Sequence, residues 1–375
     1  MKILHLVSSV GYYGAEVMLI SLALQQMEDG DCPIVCGLIK DENGTEPKVV
    51  HEARKRGIKT VTLIMKGGIF HQGRQIMDYA NSEGVEIVHS HGYRPSILVG
   101  MQNKKKSQVF IRTLHGSTYT RYLSKMFLYY LIDSLFLWRH DGVVTVSEEM
   151  KNFPLVWIVP KSVVYISNGI APMQSDSLRP HAFRDEKLMQ LRQNYFLIGS
   201  IGRLSTEKAQ ADLIRAIAKL RSSNESVALV LIGEGYERGR LEALAEELGV
   251  AKYVYMPGYL DNATYYLELF DLFCLSSVTE GLPMTILEAM RQEVPILSTD
   301  VGQIPVLLDE SRGYLVPARD VAALTRAICE IIHSYKTFKE AAVEARRYFE
   351  ENYSSRIMTD KYRSFYCSLM PVADI

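Results

Sequence analysis

FLIGSIGRLSTEK, residues 196–208, reads as a β-strand running straight into a charged turn. Arg203 and Lys208 lie five residues apart across that turn, with Ser205 and Thr206 between them. In open α/β sheets the ends of strands gather ligands. Two cations at such an end can clamp a diphosphate, Arg bidentately and Lys as a point charge. Taken alone, the segment reads equally well as a solvated loop.

The same pattern recurs on both sides of it. Further on, 228–233, 254–258, 272–277, 295–298 and 313–316 read as strands, with helices at 209–222, 236–248 and 283–292 and a helical tail from 320. Before it, 2–9, 34–39, 61–64, 87–91, 109–114, 142–147 and 163–167 are short apolar, β-branched runs, most of them separated by helix-like stretches, the longest 14–28 and 121–139. Such alternation predicts parallel sheets with helices on both faces. The polar, proline-containing stretch 168–194 interrupts the rhythm and reads as an interdomain linker region. The expected fold class is therefore α/β, with two facing Rossmann-like, doubly wound domains and a cleft between them. The expected division is 1–170, a linker region at 171–195, and 196–354.

A chain of 375 residues suits two domains, and 47% hydrophobic residues suffice for two cores. With 42 basic and 43 acidic residues, nothing global points to nucleic acid. Residues 1–170 carry 19 Lys+Arg against 15 Asp+Glu, leaving 23 against 28 for the rest, so the first half is the better candidate to face an anionic surface. Five cysteines, odd in number and without zinc spacing, fit a reducing compartment. MKILHLVSS is too short for a signal peptide and no uncharged apolar stretch reaches membrane-spanning length, so the expected location is the cytoplasm.

A second candidate is EGLPMTILEAM, 280–290. Pro283 suits the first position of a helix, where its missing N–H costs nothing. Leu282 cannot cap, so the amides of Met284 and Thr285 are free to meet a phosphate. Glu280 and Glu288 bracket the turn, and a carboxylate accepts hydroxyl hydrogen bonds from a sugar or ribose. A helix start with two solvated glutamates is the plainer reading.

In the first half, Gly11 and Gly14 in VGYYGAE (10–16) permit close backbone approach to a ligand, without completing a dinucleotide fingerprint. His115 follows the strand VFIRTL. His89 and His91 share one face of IVHSH. A metal there would need a third ligand that the sequence does not reveal. Asp29-Gly30-Asp31 has a metal-binding form but follows a helix as a polar turn, and the turn reading is preferred. On the helix 121–139, Arg121, Lys125, Tyr129 and Asp133 form one narrow polar line beside a wide apolar surface, which predicts burial in the core or a patch facing a membrane or partner.

Taken together, GYYGAE, the HG after a mid-domain strand, VSEEM, NGI (168–170), GRLSTEK, GEG (233–235), Glu280 with Glu288, and TDVGQIPVLL (299–308) resemble the retaining glycosyltransferases of family 4, of GT-B architecture, over almost the whole chain. The resemblance implies that Arg203 and Lys208 hold a nucleotide-sugar diphosphate, that Glu288 binds ribose and Glu280 the transferred sugar, and that Gly281, Leu282 and the amides of Met284 and Thr285 line the same site. It places a catalytically important, sugar-contacting histidine at His115, a phosphate contact at Gly14, and the base near Glu234 and Tyr259. The first loop departs from the family's Gly-Gly-Ala-Glu, reading Tyr13-Gly14-Ala15-Glu16. The implied activity is transfer from a UDP-sugar to a sugar or lipid-linked acceptor, without metal or cofactor, in polysaccharide or glycolipid synthesis at the inner face of a membrane. A helix at 355–370 is expected to pack back on the first domain. The rival readings are a nucleotide-sugar epimerase of the same fold, an NAD-dependent oxidoreductase, and a sugar-binding protein that has lost activity.

Overall fold

The structure is a computed structural model that describes residues 1–8, 11–12, 14–40, 44–115, 132–148, 150, 162–173, 185–261 and 263–371. Val10, Tyr13, Gly116, the 174–184 stretch and most of the 121–139 helix lie outside them. The chain forms two compact units, Met1–Ala171 with Tyr353–Ile375, and Pro172–Asn352. Among the described residues no helix is long and apolar enough to cross a membrane.

The first unit carries a parallel sheet of seven strands: β1 (Lys2–Val7), β2 (Cys32–Ile39), β3 (Lys59–Ile64), β4 (Ile87–His91), β5 (Val109–Leu114), β6 (Gly142–Thr145) and β7 (Val163–Tyr165). Their order is β3-β2-β1-β4-β5-β6-β7. Its helices are α1 (Gly14–Glu28), α2 (Lys48–Lys55), α3 (Ile69–Ser82), α4 (Tyr93–Gly100) and α5 (132–137). Period-two alternation sorts each strand. Leu4, Leu6, Ile34, Cys36, Val88 and Phe110 pack with Ile76 and Met77 of α3 and Leu98 and Val99 of α4. Val7 and Val35 face Leu19, Ile20 and Ala23 of α1 and Val49 and Val50 of α2.

The second unit carries β8 (Phe196–Ile201), β9 (Val227–Ile232), β10 (Val254–Gly258), β11 (Leu272–Leu275), β12 (Ile296–Thr299) and β13 (Tyr314–Val316), ordered β10-β9-β8-β11-β12-β13. Its helices are α6 (Glu186–Asn194), α7 (Gln210–Ser222), α8 (Arg238–Glu247), α9 (Met284–Arg291), α10 (Ile304–Leu307), α11 (Val321–His333) and α12 (Tyr335–Asn352). Leu213, Ile214 and Ile217 of α7 join Leu324, Ile328 and Ile331 of α11 against Leu229 and Leu231 of β9. The stretch assigned to the linker from its polarity contains α6, which Asp185 caps by accepting from the Leu188 amide at 3.0 Å and which buries Leu188 and Leu191.

The chain then returns to the first unit as α13 (Ser355–Leu369), capped by Ser354. Ile170 bridges Ser354 in parallel, and the Ser355 amide donates to the Ile170 carbonyl at 2.9 Å. Residues of NGI therefore form the clasp that receives the returning helix. A Cβ on Gly169 would sit 2.6 Å from the Ser354 oxygen.

At the described end of the 121–139 helix the polar line is turned inward. Asp133 is buried in an ion pair with Arg112 of β5 at 3.2 Å, whereas Leu135 and Trp138 are exposed. The Asp29–Asp31 turn serves the fold: Gly30 adopts φ 82°, and Asp31 accepts from the Met1 amine at 2.8 Å.

Candidate active site

In the second unit the chain leaves β8 toward β9 and β10, then crosses back to β11 on the other side. The loops after β8 and β11 consequently diverge, and a crevice at that switch point is where open α/β sheets bind ligands. Several contacts tie the loops together, among them the following. The Val278 amide donates to the Glu207 carbonyl at 2.8 Å. Ser276 Oγ donates to the Lys208 carbonyl at 3.0 Å. Lys208 Nζ lies 2.6 Å from Glu280 Oε1, which also accepts from Ser277 Oγ at 2.6 Å. Two residues assigned separate tasks from the sequence are thus one ion pair. Its carboxylate is nearly buried, and the ammonium has N–H groups left to donate. Arg203 is exposed at the start of the same loop, its carbonyl accepting from Gln210 Nε2 at 2.8 Å.

The helix after β11 begins one residue later than the sequence suggests. Pro283 is the residue before the helix rather than its first, and no side chain caps it. The physical expectation is unaltered: proline leaves the first amides, Met284 and Thr285, without a capping side chain at the positive end of the helix. Gly281 and Leu282 precede them on the loop. Glu288 is half-buried on α9. Burial raises its carboxyl above the usual range, against the opposing influence of Arg291 and a Thr264 hydrogen bond.

Two glycines hold these loops at contact distance. Gly233, with φ 144°, would place a Cβ 2.0 Å from the Gly202 oxygen. Gly302, with φ 57°, would place one 2.0 Å from the Glu280 oxygen. Gly302→Ala is expected to displace the Glu280 loop, lowering kcat/KM on the order of tenfold or more with a modest fall in Tm. Unchanged kinetics would show that this loop does not position the reacting groups. Beyond Gly233, Glu234 pairs with Arg238 at 2.6 Å and reaches over Gly258, next to the exposed Tyr259.

In the first unit, register places four histidines on one sheet face. His5 on β1 pairs with His89 on β4, Val7 with His91, and His91 with Thr113 on β5. His115 lies two residues past Thr113, on the same side. His5 Nδ1 is 3.1 Å from His91 Nε2, and His91 Nδ1 is 2.9 Å from His115 Nε2. His89 bonds Tyr366 of α13 and Thr113, each at 2.7 Å. Burial drives His5 down to about 4 and His115 to about 3, the latter aided by Arg112, and holds His89 and His91 well below their ordinary value. All four are neutral at pH 7. Gly14 opens α1 on this face's side of β1.

His5 is the third imidazole that the sequence hid, since it lies 84 residues from His89. Among the described residues, His5, His89 and His91 could gather on a metal, as could Glu225, Cys329 and His333. In the first group every ring nitrogen already has a hydrogen-bond partner.

Comparison with known proteins fits this arrangement. Residues 12–173 match the model described as Glycosyltransferase Family 4, and residues 184–353 that of Glycosyl transferases group 1. The putative glycosyltransferase EpsD of Bacillus subtilis is 26% identical over 305 residues, covering 78% of this chain and 80% of that protein. The lipopolysaccharide core biosynthesis glycosyltransferase LpsE of Rhizobium meliloti is 32% identical over 167 residues, 44% of this chain and 48% of that one. Among solved structures, Anabaena HepE in complex with UDP superposes with a TM-score of 0.79 at 17% identity, over 98% of this chain and all of that one. Matched by these models along both of its sheets, the chain belongs to the family 4 glycosyltransferases, enzymes of GT-B architecture.

Proposed function

We propose that this glycosyltransferase takes its sugar from a UDP-sugar, transfers it with retention of anomeric configuration, and needs no metal. The observation that carries the reading is the Lys208–Glu280 pair beside the uncapped start of α9 at the switch point of the second sheet. Negative charge develops on the leaving diphosphate as the sugar–oxygen bond breaks. Lys208, Arg203 and the Met284 and Thr285 amides are suited to stabilise it. Glu280 would take the transferred sugar, Glu288 the ribose, and the surroundings of Glu234 and Tyr259 the base. In the first unit, Gly14 would meet phosphate, and His115 would bond a hydroxyl of the transferred sugar. The departing phosphate would accept the acceptor's proton on the same face, so no separate base is required. Solved relatives in fold support the nucleotide: HepE was crystallised with UDP and with UDP-glucose. Relatives named for lipopolysaccharide core, O-antigen and capsular polysaccharide support a bacterial polysaccharide or glycolipid acceptor.

One experiment tests all three parts. Candidate UDP-sugars and acceptors are incubated with the enzyme in EDTA, and the first-formed product is read by NMR. The expected product keeps the configuration of the sugar's original anomeric bond. An inverted linkage, or turnover abolished by EDTA and restored by Mg²⁺ or Mn²⁺, would overturn the corresponding part.

We further propose that the first unit docks on an anionic membrane surface at the cytoplasmic face. Trp138, Leu135, Phe70 and Ile69 are exposed. Phe70 and Arg139 both bond Gln102, through its Nε2 and its carbonyl, which brings the two aromatic segments together. Arg139 lies 5.2 Å from the Trp138 ring, and Lys105 and Lys106 are exposed nearby in sequence. Apolar insertion with basic flanks gives reversible, salt-sensitive binding. The expected result is co-sedimentation with anionic vesicles at low salt, reduced in Trp138→Ser at unchanged Tm; a protein that stays in the supernatant would place the acceptor elsewhere.

A further inference from the structure

Of the four histidines on this face of the first sheet, His5, His91 and His115 form a hydrogen-bonded chain with a direction, and His89 belongs to a second one. One arm runs from Gln26 of α1 through His5 and His91 to His115, at 2.9, 3.1 and 2.9 Å. The other runs from the Tyr366 hydroxyl to His89, then to Thr113 and Tyr362, at 2.7, 2.7 and 3.1 Å. A neutral imidazole has one N–H and one lone pair, so each link fixes the next.

The Gln26 carbonyl oxygen faces His5 Nε2, which must therefore carry the proton, leaving Nδ1 as an acceptor. His91 Nε2–H then donates to His5 Nδ1, and His115 Nε2–H donates to His91 Nδ1. In the second arm the Tyr366 O–H can donate to His89 Nδ1 and His89 Nε2–H to Thr113. The arm through His91 ends at His115 Nδ1, which is buried and has no partner among the described residues. With the network reversed, that atom would be an N–H buried without an acceptor. Orphaned buried N–H groups are rarer than under-satisfied acceptors.

We propose that Gln26, His5 and His91 are positioning residues that hold His115 in its Nε2–H tautomer, presenting Nδ1 as a hydrogen-bond acceptor for a hydroxyl. This rests on the reading that His115 meets the transferred sugar. A fixed acceptor admits a hydroxyl that donates and disfavours a group that can only accept. It also spares the enzyme a tautomer exchange when the sugar binds. The amide of one glutamine, three links away, thus sets which atom of His115 faces the ligand.

The test uses the full chain labelled with ¹⁵N-histidine. Long-range ¹H–¹⁵N correlation at neutral pH reads which ring nitrogen of each imidazole is protonated, with assignment from single-histidine variants. His5, His91 and His115 are expected as neutral Nε2–H tautomers. Gln26→Leu removes the oxygen that sets the direction, so His115 is expected to show both tautomers, with kcat lowered about tenfold, the worth of one hydrogen bond. His91→Leu is expected to do the same. His91→Asn, whose amide oxygen can take the place of Nδ1, restores the Nε2–H form. An Nδ1–H tautomer at His115 in the unaltered protein overturns the proposal. So does a Gln26→Leu protein with an unchanged His115 spectrum, or stoichiometric zinc or copper in the purified enzyme, since a metal would occupy the ring nitrogens. If Gln26→Leu does not fold, the unaltered spectrum and the His91→Asn pair still decide. If the tautomers are as expected but His115→Ala turns over normally, the tautomer assignment stands and the sugar contact is wrong.

Discussion

Lys208→Ala is expected to lower turnover by about a hundredfold while the protein stays folded, because one preorganised charge contact at the transition state is worth about 3 kcal/mol. The Lys208–Glu280 pairing sharpens this expectation. Removing the ammonium leaves the Glu280 carboxylate, nearly buried, with Ser277 as its remaining described hydrogen-bond partner. A diphosphate held there, as proposed, would then meet an uncompensated negative charge. Loss of attraction and gain of repulsion act in the same direction, so both kcat and the affinity for the nucleotide should fall. Adding Glu280→Gln removes the repulsion, and the double variant should bind UDP better than Lys208→Ala while remaining slow. Arg203→Ala should also lower turnover strongly. Steady-state kinetics alongside thermal melts decide the matter: near-normal turnover in both Lys208→Ala and Arg203→Ala would remove the diphosphate from this loop.

The second large effect concerns stability. Asp133→Ala is expected to destabilise the first unit by about 3–5 kcal/mol, the usual consequence of stranding one partner of a buried ion pair. Arg112 and Asp133 have side chains only 4% and 3% exposed. The pair lies on the sheet face opposite the histidines, where Phe110 also points. Replacing both partners with leucine should restore most of the loss, since a buried pair often equals well-packed apolar groups in stability. Urea denaturation reads the difference, and a loss below about 1 kcal/mol would mean that Arg112 finds another partner.

That pair also shows where reading the sequence stops. A polar line at four-residue spacing ordinarily marks a solvated helix face. At Asp133 the line points inward because a cation on β5, 21 residues earlier, waits there, and nothing in the helix's own periodicity carries that information. The strands were legible because buried parallel strands are β-branched apolar runs, as VALVLI of β9 shows. α6 was hidden inside a polar stretch because Leu188 and Leu191 alone face the core. Pro283 stands at the cap of α9 rather than in its first turn, a one-residue difference at a helix end. GRLSTEK and EGLPMTILEAM could each be found alone. That Lys208 and Glu280 touch depends on strand order, which brings β8 beside β11 across 72 residues of chain. His5 joined His89 and His91 for the same reason, through the neighbouring positions of β1 and β4.

The clasp at Gly169 and Ser354 has a consequence for synthesis. Tyr362 and Tyr366, which cover the histidine face, are made long after His5, with the whole second unit between them. The first 171 residues must wait for about 180 more before α13 can close that face. At 5–20 residues per second the interval is roughly ten seconds or longer. During it, the nascent first unit carries an open, partly polar seam that no local helix can cover. The first unit is thus completed only after the whole second unit has been made, and a truncation that removes α13 strips the lid from a sheet made long before it.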